Sequence, residues 1–476
     1  MADNFFHHIH RGLLLNKPKT LITWPCGDGT SQSYTGEDVL ERIKKAQAAL
    51  VSKGAGASQN ILLAMPVSVD LICALLAIQS IGAVPVLPPA NVSKRGLIKL
   101  IRSLRIRFVV IADCPSLPVK AFAFVNNFKL VPAFNKINTD HLFEVVDVPP
   151  EQPALVTHSS GSTGNAKAIY RSHKVLLSQH HVLRQVFPPL PNQVDFPLFP
   201  NILLHNLALG VTSVLPDIPH FKLKEMQPAR IVDQLIHQRI ETATGNVFYF
   251  DSIIKHLHKH AVTFPHVRAI GIGGSPVPDT LALALKKFFI EAAIYIIYGS
   301  SEAEPIAVRK IDDETIHPFA GYKVGDIVPQ LQLEMVPLGE VIVGSKKVTV
   351  GEIKVKGAHV ATNNKDEALH TGDFGYVDEK NQLYLTARKG NEKICGGYQH
   401  YQLEHLLTND SRVEKVAAIA GDDGFVIYVQ GNISKQEILN TLITYMPAQL
   451  VKSIHLRNDI PVDARHLSKI LYHKVS

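Results

Sequence analysis

The amino-acid sequence predicts an α/β fold with a large N-terminal domain and a small, mobile α+β C-terminal domain. Strand-like and helix-like segments alternate up to about residue 325, which is typical of parallel or mixed sheets covered by helices. Beyond that point, residues 331–336, 340–343 and 352–357 alternate polar and apolar side chains, as strands of an antiparallel sheet or small barrel do. We therefore assign residues 1–387 to the large domain and 388–476 to the small one.

The predicted elements of the large domain follow in a regular order. Residues 67–80 are predicted to form a helix and residues 83–87 a strand, and the pattern repeats with a basic helix at 94–104 and a strand at 107–112. Further apolar strands are predicted at 154–157, 240–245, 268–274 and 293–299, with a helix at 279–289. Because parallel sheets bind ligands beyond the carboxyl ends of their strands, the residues that follow these strands are expected at a binding site.

The composition bounds the class of protein. Hydrophobic residues make up 46% of the 476 residues and charged residues 19%, which favours a folded protein with a large core over disorder. The net charge of +7 is mild for this length and fits an enzyme with anionic substrates. The lysines are dispersed and form no stripe typical of nucleic-acid binding, so no nucleic-acid partner is expected.

Cysteine usage and hydropathy predict a cytoplasmic protein. The four cysteines lack Cys-x-x-Cys spacing, so neither a zinc site nor a disulfide framework is predicted. The first residues lack the basic start and apolar run of a signal peptide. The most apolar stretch, residues 60–88, is interrupted by Pro66, Asp70 and Pro85, which favours core elements over a membrane span.

The most informative segment is residues 159–167, which read Ser-Ser-Gly-Ser-Thr-Gly-Asn-Ala-Lys. Small and hydroxyl-bearing residues leave backbone N–H groups free to converge on a phosphate. Gly161 and Gly164 allow close backbone approach, and Lys167 adds a positive charge. The glycine spacing differs from that of the P-loop NTPases. The segment therefore predicts a phosphate-binding loop of another kind; the alternative is an ordinary Ser/Gly-rich loop.

Further elements follow this loop in order along the chain. Residues 298–302, Tyr-Gly-Ser-Ser-Glu, offer an aromatic face for a purine and an acidic oxygen ligand for Mg²⁺. Residues 371–373, Thr-Gly-Asp, place a carboxylate on a tight turn, where it suits the hydroxyls of a ribose. Arg388 lies at the predicted domain boundary, and Lys469 lies on a loop close to the C-terminus. Each motif is weak evidence alone, but the occurrence of all of them in this order along the chain is hard to ascribe to chance.

In this order the elements resemble those of the acyl-adenylate-forming superfamily, which includes AMP-forming acyl-CoA synthetases, fatty-acyl-AMP ligases, luciferases and the adenylation domains of peptide synthetases. The resemblance spans nearly the whole chain and includes residues 71–86, which are similar to the family's early helix–strand signature. It implies an AMP-forming ligase that uses ATP and Mg²⁺ to activate a carboxylic acid as an acyl-adenylate, as in fatty acid metabolism. CoA, as co-substrate, and a carrier protein acting in trans are the implied candidate acceptors.

The resemblance also implies roles for individual residues. Residues implied to bind ATP or AMP are Ser159, Ser160, Gly161, Ser162, Thr163, Gly164 and Lys167 at the β- and γ-phosphates, Gly273, Gly274 and Tyr298 at the adenine, Gly299 and Ser300 in the adjoining turn, and Asp373 and Arg388 at the ribose. The implied catalytic residues are Lys469, Glu302 and Ser301, with Lys469 bridging the substrate carboxylate and the α-phosphate. Mg²⁺ is implied at Glu302 and Thr163.

The chain departs from the family pattern where the two predicted domains join. The family reads Gly-Arg-x-Lys-Asp-x-Ile-Lys there, whereas residues 387–394 have Gly390 in place of the Lys and Asn391 in place of the pivoting Asp. Either these turn-tolerant residues still act as a pivot, or the thiol-transfer step is altered.

Two alternative functions and the identity of the acid stay open. Residues 209–217 and 461–470 resemble the olefin-biosynthesis β-lactone synthetases, in which the hydroxyl of a 3-hydroxy acid expels AMP. The other alternative is a catalytically degenerate homologue that binds a nucleotide or acyl ligand. Residues 196–210 lie where the family lines its acyl pocket; they are apolar, which favours a fatty or other apolar acid, unless they are ordinary core. The candidate pocket residues are Phe199, His205 and Gly210.

Overall fold

The computed structural model describes residues 4–89, 92–112, 115–132, 134, 142–159, 167–260, 262–312, 316–362 and 367–475. The chain divides into two compact units. Unit 1 comprises residues 1–221 and 358–366, and unit 2 comprises residues 222–357 and 367–476. Residues 388–475 therefore belong to the same compact unit as residues 222–357, and their role as a separate mobile domain stays a prediction.

Unit 1 alternates strands with helices along most of its length. Its helices are α1 (Phe6–Leu15), α2 (Gly36–Ser52), α3 (Val69–Ser80), α4 (Lys94–Ser103), α5 (Leu117–Val125), α6 (His173–Val186) and α7 (Pro200–Leu209). Its strands are β1 (Thr20–Pro25), β2 (Ser31–Thr35), β3 (Asn60–Leu63), β4 (Val84–Val86), β5 (Phe108–Ile111), β6 (Lys129–Pro132), β7 (Pro153–Ser159), β8 (Lys167–Ser172), β9 (Val194–Pro197) and β10 (Thr212–Val214).

A six-stranded sheet in the order β6-β5-β3-β4-β7-β8 organises the first part of unit 1. All neighbours in it are parallel except β7 and β8. The helix predicted at 67–80 is α3, which is almost entirely buried because its residues are apolar, and the Ser68 side chain caps it by accepting a hydrogen bond from the Leu71 N–H. Side chains of α3 pack in one cluster with Ile61, whereas α4 and α5 pack in another with Leu62. Because successive strand residues point to opposite faces, α3 covers one face of the sheet and α4 and α5 the other.

The other strands of unit 1 form the order β9-β10-β1-β2. The pairs β9–β10 and β10–β1 are parallel, and β2 is antiparallel to β1.

Unit 2 begins with parallel strands and continues with antiparallel ones. Its helices are α8 (Pro228–His237), α9 (Val247–Leu257), α10 (Asp279–Phe288), α11 (His400–Thr408) and α12 (Lys435–Ile443). Its strands are β11 (Thr242–Asn246), β12 (Ala269–Gly273), β13 (Ala293–Tyr298), β14 (Ala307–Lys310), β15 (Tyr322–Ile327), β16 (Leu331–Val343), β17 (Lys346–Gly357), β18 (Leu369–Val377), β19 (Gln382–Arg388), β20 (Val413–Ala420), β21 (Phe425–Gly431) and β22 (Val451–Leu456).

The strands of unit 2 change from parallel to antiparallel pairing, as predicted, but the change comes at β14 and not near residue 325. Within the order β16-β17-β18-β19-β15-β14-β13-β12-β11, the strands β11, β12 and β13 are parallel and every later pair is antiparallel. One prediction is wrong in detail, because residues 331–336 and 340–343 belong to the single strand β16. A register shift between Pro337 and Gly339 lets β16 continue through this point, as a bulge does.

The last part of unit 2 is a small sheet covered by helices. The strands β20 and β21 are antiparallel and β22 is parallel to β21. Phe425 and Val416 of this sheet share a buried cluster with Leu407 of α11 and Ile438 of α12. Phe319, which precedes β15, belongs to the same cluster, so this part shares its apolar core with the preceding strands of unit 2. Nowhere in the described ranges is there a helix with the length and apolar character needed to span a bilayer.

Histidine side chains from three helices meet inside unit 1. The ring centroids of His180 on α6 and His205 on α7 lie 4.7 Å apart, and His8 on α1 lies 6.2 Å from His180. His180 and His205 are buried, and the Nδ1 atom of each has no hydrogen-bond partner among the described residues. Burial, together with the neighbouring histidines, lowers the pKa of His180 to about 3. Burial lowers the pKa of His205 to about 4. Both rings are therefore neutral in the folded protein near pH 7.

This cluster predicts that the protein loses stability as the pH falls below 6.5. In the unfolded chain both histidines bind protons near their ordinary pKa of 6.5, whereas the folded chain resists protonation down to about pH 4, so stability rises with pH in this window. Each histidine contributes at most about 1.4 kcal/mol per pH unit to the slope. We expect His180→Gln to flatten the dependence of the urea-unfolding free energy between pH 7 and pH 5.

The matched control is His237→Gln, because His237 is exposed on α8. It should keep the pH slope of the wild type. Equal slopes in His180→Gln and the wild type would contradict the prediction.

Candidate active site

The carboxyl ends of β12 and β13 open onto a cavity in unit 2. A Cβ atom at Gly273 would lie 2.4 Å from the carbonyl oxygen of Ile297, so only glycine lets the two parallel strands approach there. Gly274 has φ +85°, a backbone conformation that favours glycine. Beyond them lies a cavity of about 400 Å³, a volume in the range of small-molecule sites. Its lining includes Gly274, Tyr298, Gly299, Asp373, Arg388 and Lys469, so six residues predicted from the sequence come together here.

A buried carboxylate is fixed at the wall of this cavity. Asp373 on β18 and Arg388 on β19 are cross-strand partners, and Arg388 Nη1 donates to Asp373 Oδ1 at 2.5 Å. The Tyr298 hydroxyl, at the end of β13, donates to Asp373 Oδ2 at 2.9 Å. The Asp373 carboxylate raises the pKa of the Arg388 guanidinium above its ordinary value, and burial opposes this rise only in part. Burial and the Asp373 charge raise the pKa of Tyr298. The carboxylate is thus held in one orientation, with lone pairs left to accept further hydrogen bonds.

Lys469 reaches the same cavity from the C-terminal loop. Two hydrogen bonds join its backbone to Asp463. The Asp463 N–H donates to the Lys469 carbonyl at 2.9 Å, and the Lys469 N–H donates to the Asp463 side-chain atom Oδ1 at 3.1 Å. Burial, followed by repulsion from Arg388, lowers the pKa of the Lys469 ammonium below its ordinary value. The loop therefore presents a partly desolvated cation to the cavity.

A hydrogen-bond network that the sequence analysis missed holds this loop. The Asp463 Oδ2 atom accepts from the backbone N–H of His466 at 2.8 Å and contacts His466 Nδ1 at 2.8 Å. The Asn246 side chain caps α9 by accepting from Tyr249 N–H, and it donates to the His466 carbonyl at 3.0 Å. Asn246 is buried. The network connects the loop of Lys469 to the carboxyl end of β11.

Asp463 is the acidic centre of this network. Burial opposes its ionisation, but the hydrogen bonds from His466 and the Lys469 N–H outweigh burial and lower its pKa to about 2. Burial lowers the pKa of His466, and the Asp463 carboxylate partly opposes that change. Two sequence signals could have revealed the network: Asn246 follows a predicted strand, where N-cap residues occur, and His466 lies close before Lys469.

The turn after β13 holds the predicted residues Gly299, Ser300, Ser301 and Glu302. A Cβ atom at Gly299 would lie 2.7 Å from the Ala303 carbonyl oxygen, and the Ser300 hydroxyl accepts hydrogen bonds from the N–H groups of Glu302 and Ala303. The Glu302 carboxylate has no hydrogen-bond partner among the described residues, and its oxygens suit Mg²⁺. Within the same ranges no group of three His, Cys, Asp or Glu side chains is arranged to hold a metal ion, and Mg²⁺ at Glu302 and Thr163 stays a prediction.

The predicted phosphate loop begins and ends in unit 1. Ser159 ends β7 and Lys167 begins β8, and the two are antiparallel partners. Lys167 is exposed. The loop thus connects adjacent strands of the six-stranded sheet. The predicted residues between the strands lie outside the described residues, namely Ser160, Gly161, Ser162, Thr163 and Gly164.

The predicted acyl-pocket residues lie on or beside α7 in unit 1. Phe199 is the N-cap residue of α7, and Gly210 ends the helix in the left-handed conformation with φ 68°. A Cβ atom at Gly210 would lie 2.2 Å from the Asn16 side chain, so close packing requires glycine there. His205 contacts His180 in the buried histidine cluster. An acyl-pocket role for these residues stays a prediction.

The segment after β19 contains the two departures from the family pattern. Gly390 has φ +94°, and its conformation favours glycine. The side chain of Asn391 is buried; its Nδ2 donates to the Ala418 carbonyl at 2.8 Å and its Oδ1 accepts from the Ala420 N–H at 3.2 Å. Because an aspartate could not donate to Ala418, the asparagine fits this contact better.

Fold and site together define an α/β protein with a cavity of small-molecule size at the ends of parallel strands. The family model described as "AMP-binding enzyme" matches residues 16–363. The chain belongs to the AMP-binding enzyme family, and the resemblance to acyl-adenylate-forming enzymes is confirmed.

Sequence relatives of two kinds are similar to the chain. An olefin β-lactone synthetase of Xanthomonas campestris is 25% identical over 311 residues, which cover 58% of this chain and 55% of that protein. A second one, of Stenotrophomonas maltophilia, is 25% identical over 67% of this chain and 66% of that protein. The 4-coumarate–CoA ligase 2 of Nicotiana tabacum is 24% identical over 84% of this chain and 80% of that protein. The matches thus span between about half and four fifths of these relatives.

Solved structures share the fold over almost the whole chain. ATP-bound MatB from Rhodopseudomonas palustris has a TM-score of 0.80 at 18% identity and covers 99% of this chain and 98% of its own. O-succinylbenzoate coenzyme A synthetase from Bacillus subtilis, in complex with AMP, has a TM-score of 0.78 at 14% identity and covers 100% and 98%. The predicted α/β fold class is confirmed by these matches.

The network around Asp463 predicts how firmly the Lys469 loop is held. We expect Asp463→Ala to increase the hydrogen-exchange rates of the His466 and Lys469 amides by about tenfold or more, because each amide loses a bond to a charged acceptor worth about 1.5–3 kcal/mol. Hydrogen-exchange mass spectrometry of the C-terminal peptides measures this. Asp459→Ala is the matched control, since the Asp459 side chain is 82% exposed. Equal exchange in the two variants would show that Asp463 does not hold the loop.

Proposed function

We propose that the protein is an ATP-dependent enzyme that joins AMP to a carboxylic acid and releases pyrophosphate. One observation carries the proposal: Tyr298, Asp373, Arg388 and Lys469, which are far apart in the sequence, line a single cavity in unit 2. Membership of the AMP-binding enzyme family supports it, as do the ATP and AMP bound to structural relatives.

The nucleotide would bind through its ribose and its adenine. Asp373 is proposed to accept hydrogen bonds from the ribose hydroxyls, because Arg388 and Tyr298 hold its carboxylate in a fixed orientation. The backbone at Gly273 and Gly274 is proposed to let the adenine approach closely. Residues 159–167 would bind the β- and γ-phosphates through backbone N–H groups.

The reaction would need positioning and positive charge and no side-chain nucleophile. An oxygen of the substrate carboxylate attacks the α-phosphorus of ATP, and the bond from that phosphorus to the bridging oxygen breaks as pyrophosphate leaves. Both reactants are anions, so the Lys469 ammonium would offset their repulsion and stabilise the charge that develops on the phosphoryl oxygens. Ser301 and Glu302 would contact the α-phosphate. Glu302 and Thr163 would hold Mg²⁺, which supplies further positive charge when bound.

The acid and the acceptor are the finer part of the proposal. An apolar acid is favoured, because residues 196–210 are mostly apolar. Transfer to CoA or another thiol is the first candidate for the second step, supported by the long match to a 4-coumarate–CoA ligase. Lactone formation from a 3-hydroxy acid is the second candidate, supported by the similarity to β-lactone synthetases and by the Asn391 contact at the altered hinge.

Pyrophosphate release from ATP, measured with a panel of carboxylic acids, tests this function. We expect release that depends on the acid and is strongest with apolar acids. A further rise on adding CoA would identify a thioester ligase, and sustained turnover without CoA on 3-hydroxy acids alone would identify lactone formation. Matched acids with and without the 3-hydroxyl group are the internal control. Failure of every acid to release pyrophosphate would overturn the proposal and favour a homologue that binds without turnover.

Lys469 is expected to be essential for adenylate formation. Lys469→Ala should lower the rate of acid-dependent pyrophosphate release by about 100-fold or more, because a preorganised charge at the transition state is lost. ATP binding, measured by calorimetry, should survive, because Asp373 and Arg388 remain. Lys474→Ala is the matched control, since Lys474 is an exposed lysine of the same C-terminal segment. Full activity of Lys469→Ala would remove the assigned role.

A further inference from the structure

The net positive charge of the protein comes from one segment of unit 1, although lysines and arginines occur along the whole sequence. Residues 92–132 contain eight lysines and arginines and a single acidic residue, Asp113. Their net charge of +7 equals that of the entire 476-residue chain. The remainder of the protein is therefore neutral overall, and this segment alone gives the chain its basic character.

The cations of this segment point away from the core. The helices α4 and α5 pack their inner sides, including Ile101 and Ala123, against one face of the six-stranded sheet. Seven cationic side chains lie on the exposed residues of these helices and of the turn after α4, and we call this surface the basic face: Lys94, Arg95, Lys99, Arg102, Arg105, Arg107 and Lys120. Among the described residues, none of the seven forms an ion pair.

The helix α5, which packs in the same cluster as α4, also carries large exposed apolar side chains. On α5, Phe124 is 88% exposed and Leu117 and Val125 are each 80% exposed, which makes them the three most exposed large apolar side chains in the described part of the chain. Exposed apolar residues are common singly, but a cluster of them needs an explanation. No acidic residue among those described in this segment lies between them and the basic face.

We propose that the basic face and the apolar side chains of α5 together dock the protein onto an anionic lipid surface. Cations near a membrane surface each contribute about 1 kcal/mol of attraction to anionic headgroups, and apolar side chains insert at the boundary between headgroups and acyl chains. In this arrangement the cations contact the headgroups and the exposed apolar side chains contact the acyl chains. An acidic protein surface would pair with the cations but would leave the tips of Phe124, Leu117 and Val125 without a matching environment. The proposal does not depend on the proposed activity.

Co-sedimentation of the full chain with vesicles tests this docking. One set of vesicles contains phosphatidylcholine alone, and the other contains equal parts of phosphatidylcholine and phosphatidylglycerol. We expect binding to the anionic set and little binding to the neutral set. Lys99→Gln/Arg102→Gln should weaken the binding by about 10- to 30-fold. Phe124→Ser should weaken it by about 10-fold, because an inserted aromatic ring is lost.

Matched controls separate a local effect from a general one. Lys17→Gln/Lys45→Gln removes the same charge from exposed lysines elsewhere in unit 1, and Leu15→Ser removes another exposed apolar side chain. Both should bind like the wild type. All of the substitutions are at exposed positions, and circular dichroism confirms that each variant is folded.

Three results would overturn the proposal. One is the absence of binding to anionic vesicles. Another is an equal loss of binding in the test and control charge variants, which would indicate a general electrostatic effect. The third is binding that depends on charge but is unchanged by Phe124→Ser, which would show that the apolar side chains of α5 do not take part in docking.

Discussion

The ion pair between Asp373 and Arg388 is the interaction on which the site in unit 2 depends. Taking a carboxylate out of water costs several kcal/mol, and here the cost is offset because Arg388 and Tyr298 each satisfy one oxygen of Asp373. The pair requires β18 and β19 to be in register, and Tyr298 ties both to the end of the parallel strand β13. The buried Asp373 carboxylate therefore connects the antiparallel and parallel parts of the sheet, and it faces the cavity in a fixed orientation.

The fold class and six residues that line the cavity could be predicted because their signals are local. Alternating segments gave the parallel and antiparallel parts, and short turns identified Tyr298 and Asp373. Asn246 was missed because its partner, the His466 carbonyl, lies 220 residues away, and sequence periodicity does not report such a contact. The continuity of β16 was missed because Pro337 and Gly339 interrupt the apolar pattern, whereas a register shift keeps the strand intact.

For residues 196–210, composition alone does not distinguish a core segment from a ligand pocket. An apolar run is compatible with a core and with an acyl pocket, and only neighbours distinguish the two. The neighbours of Gly210 and His205 are Asn16 and His180, on other elements of unit 1. Packing thus accounts for the glycine and for the buried ring without a ligand. Close packing also explains Gly273 at the cavity, where the neighbour is the backbone carbonyl of Ile297.

Asn391 joins the end of β19 to β20 through a neutral group that both donates and accepts. An amide carries no charge near neutral pH, so neither moderate changes of pH nor salt alter this connection. A carboxylate in its place would leave the Ala418 carbonyl without this donor, at a cost of about 1–3 kcal/mol, and would bury a negative charge. Hydrogen bonding alone therefore holds β19 and β20 together at this point, and the contact adds no charge to the interior of unit 2.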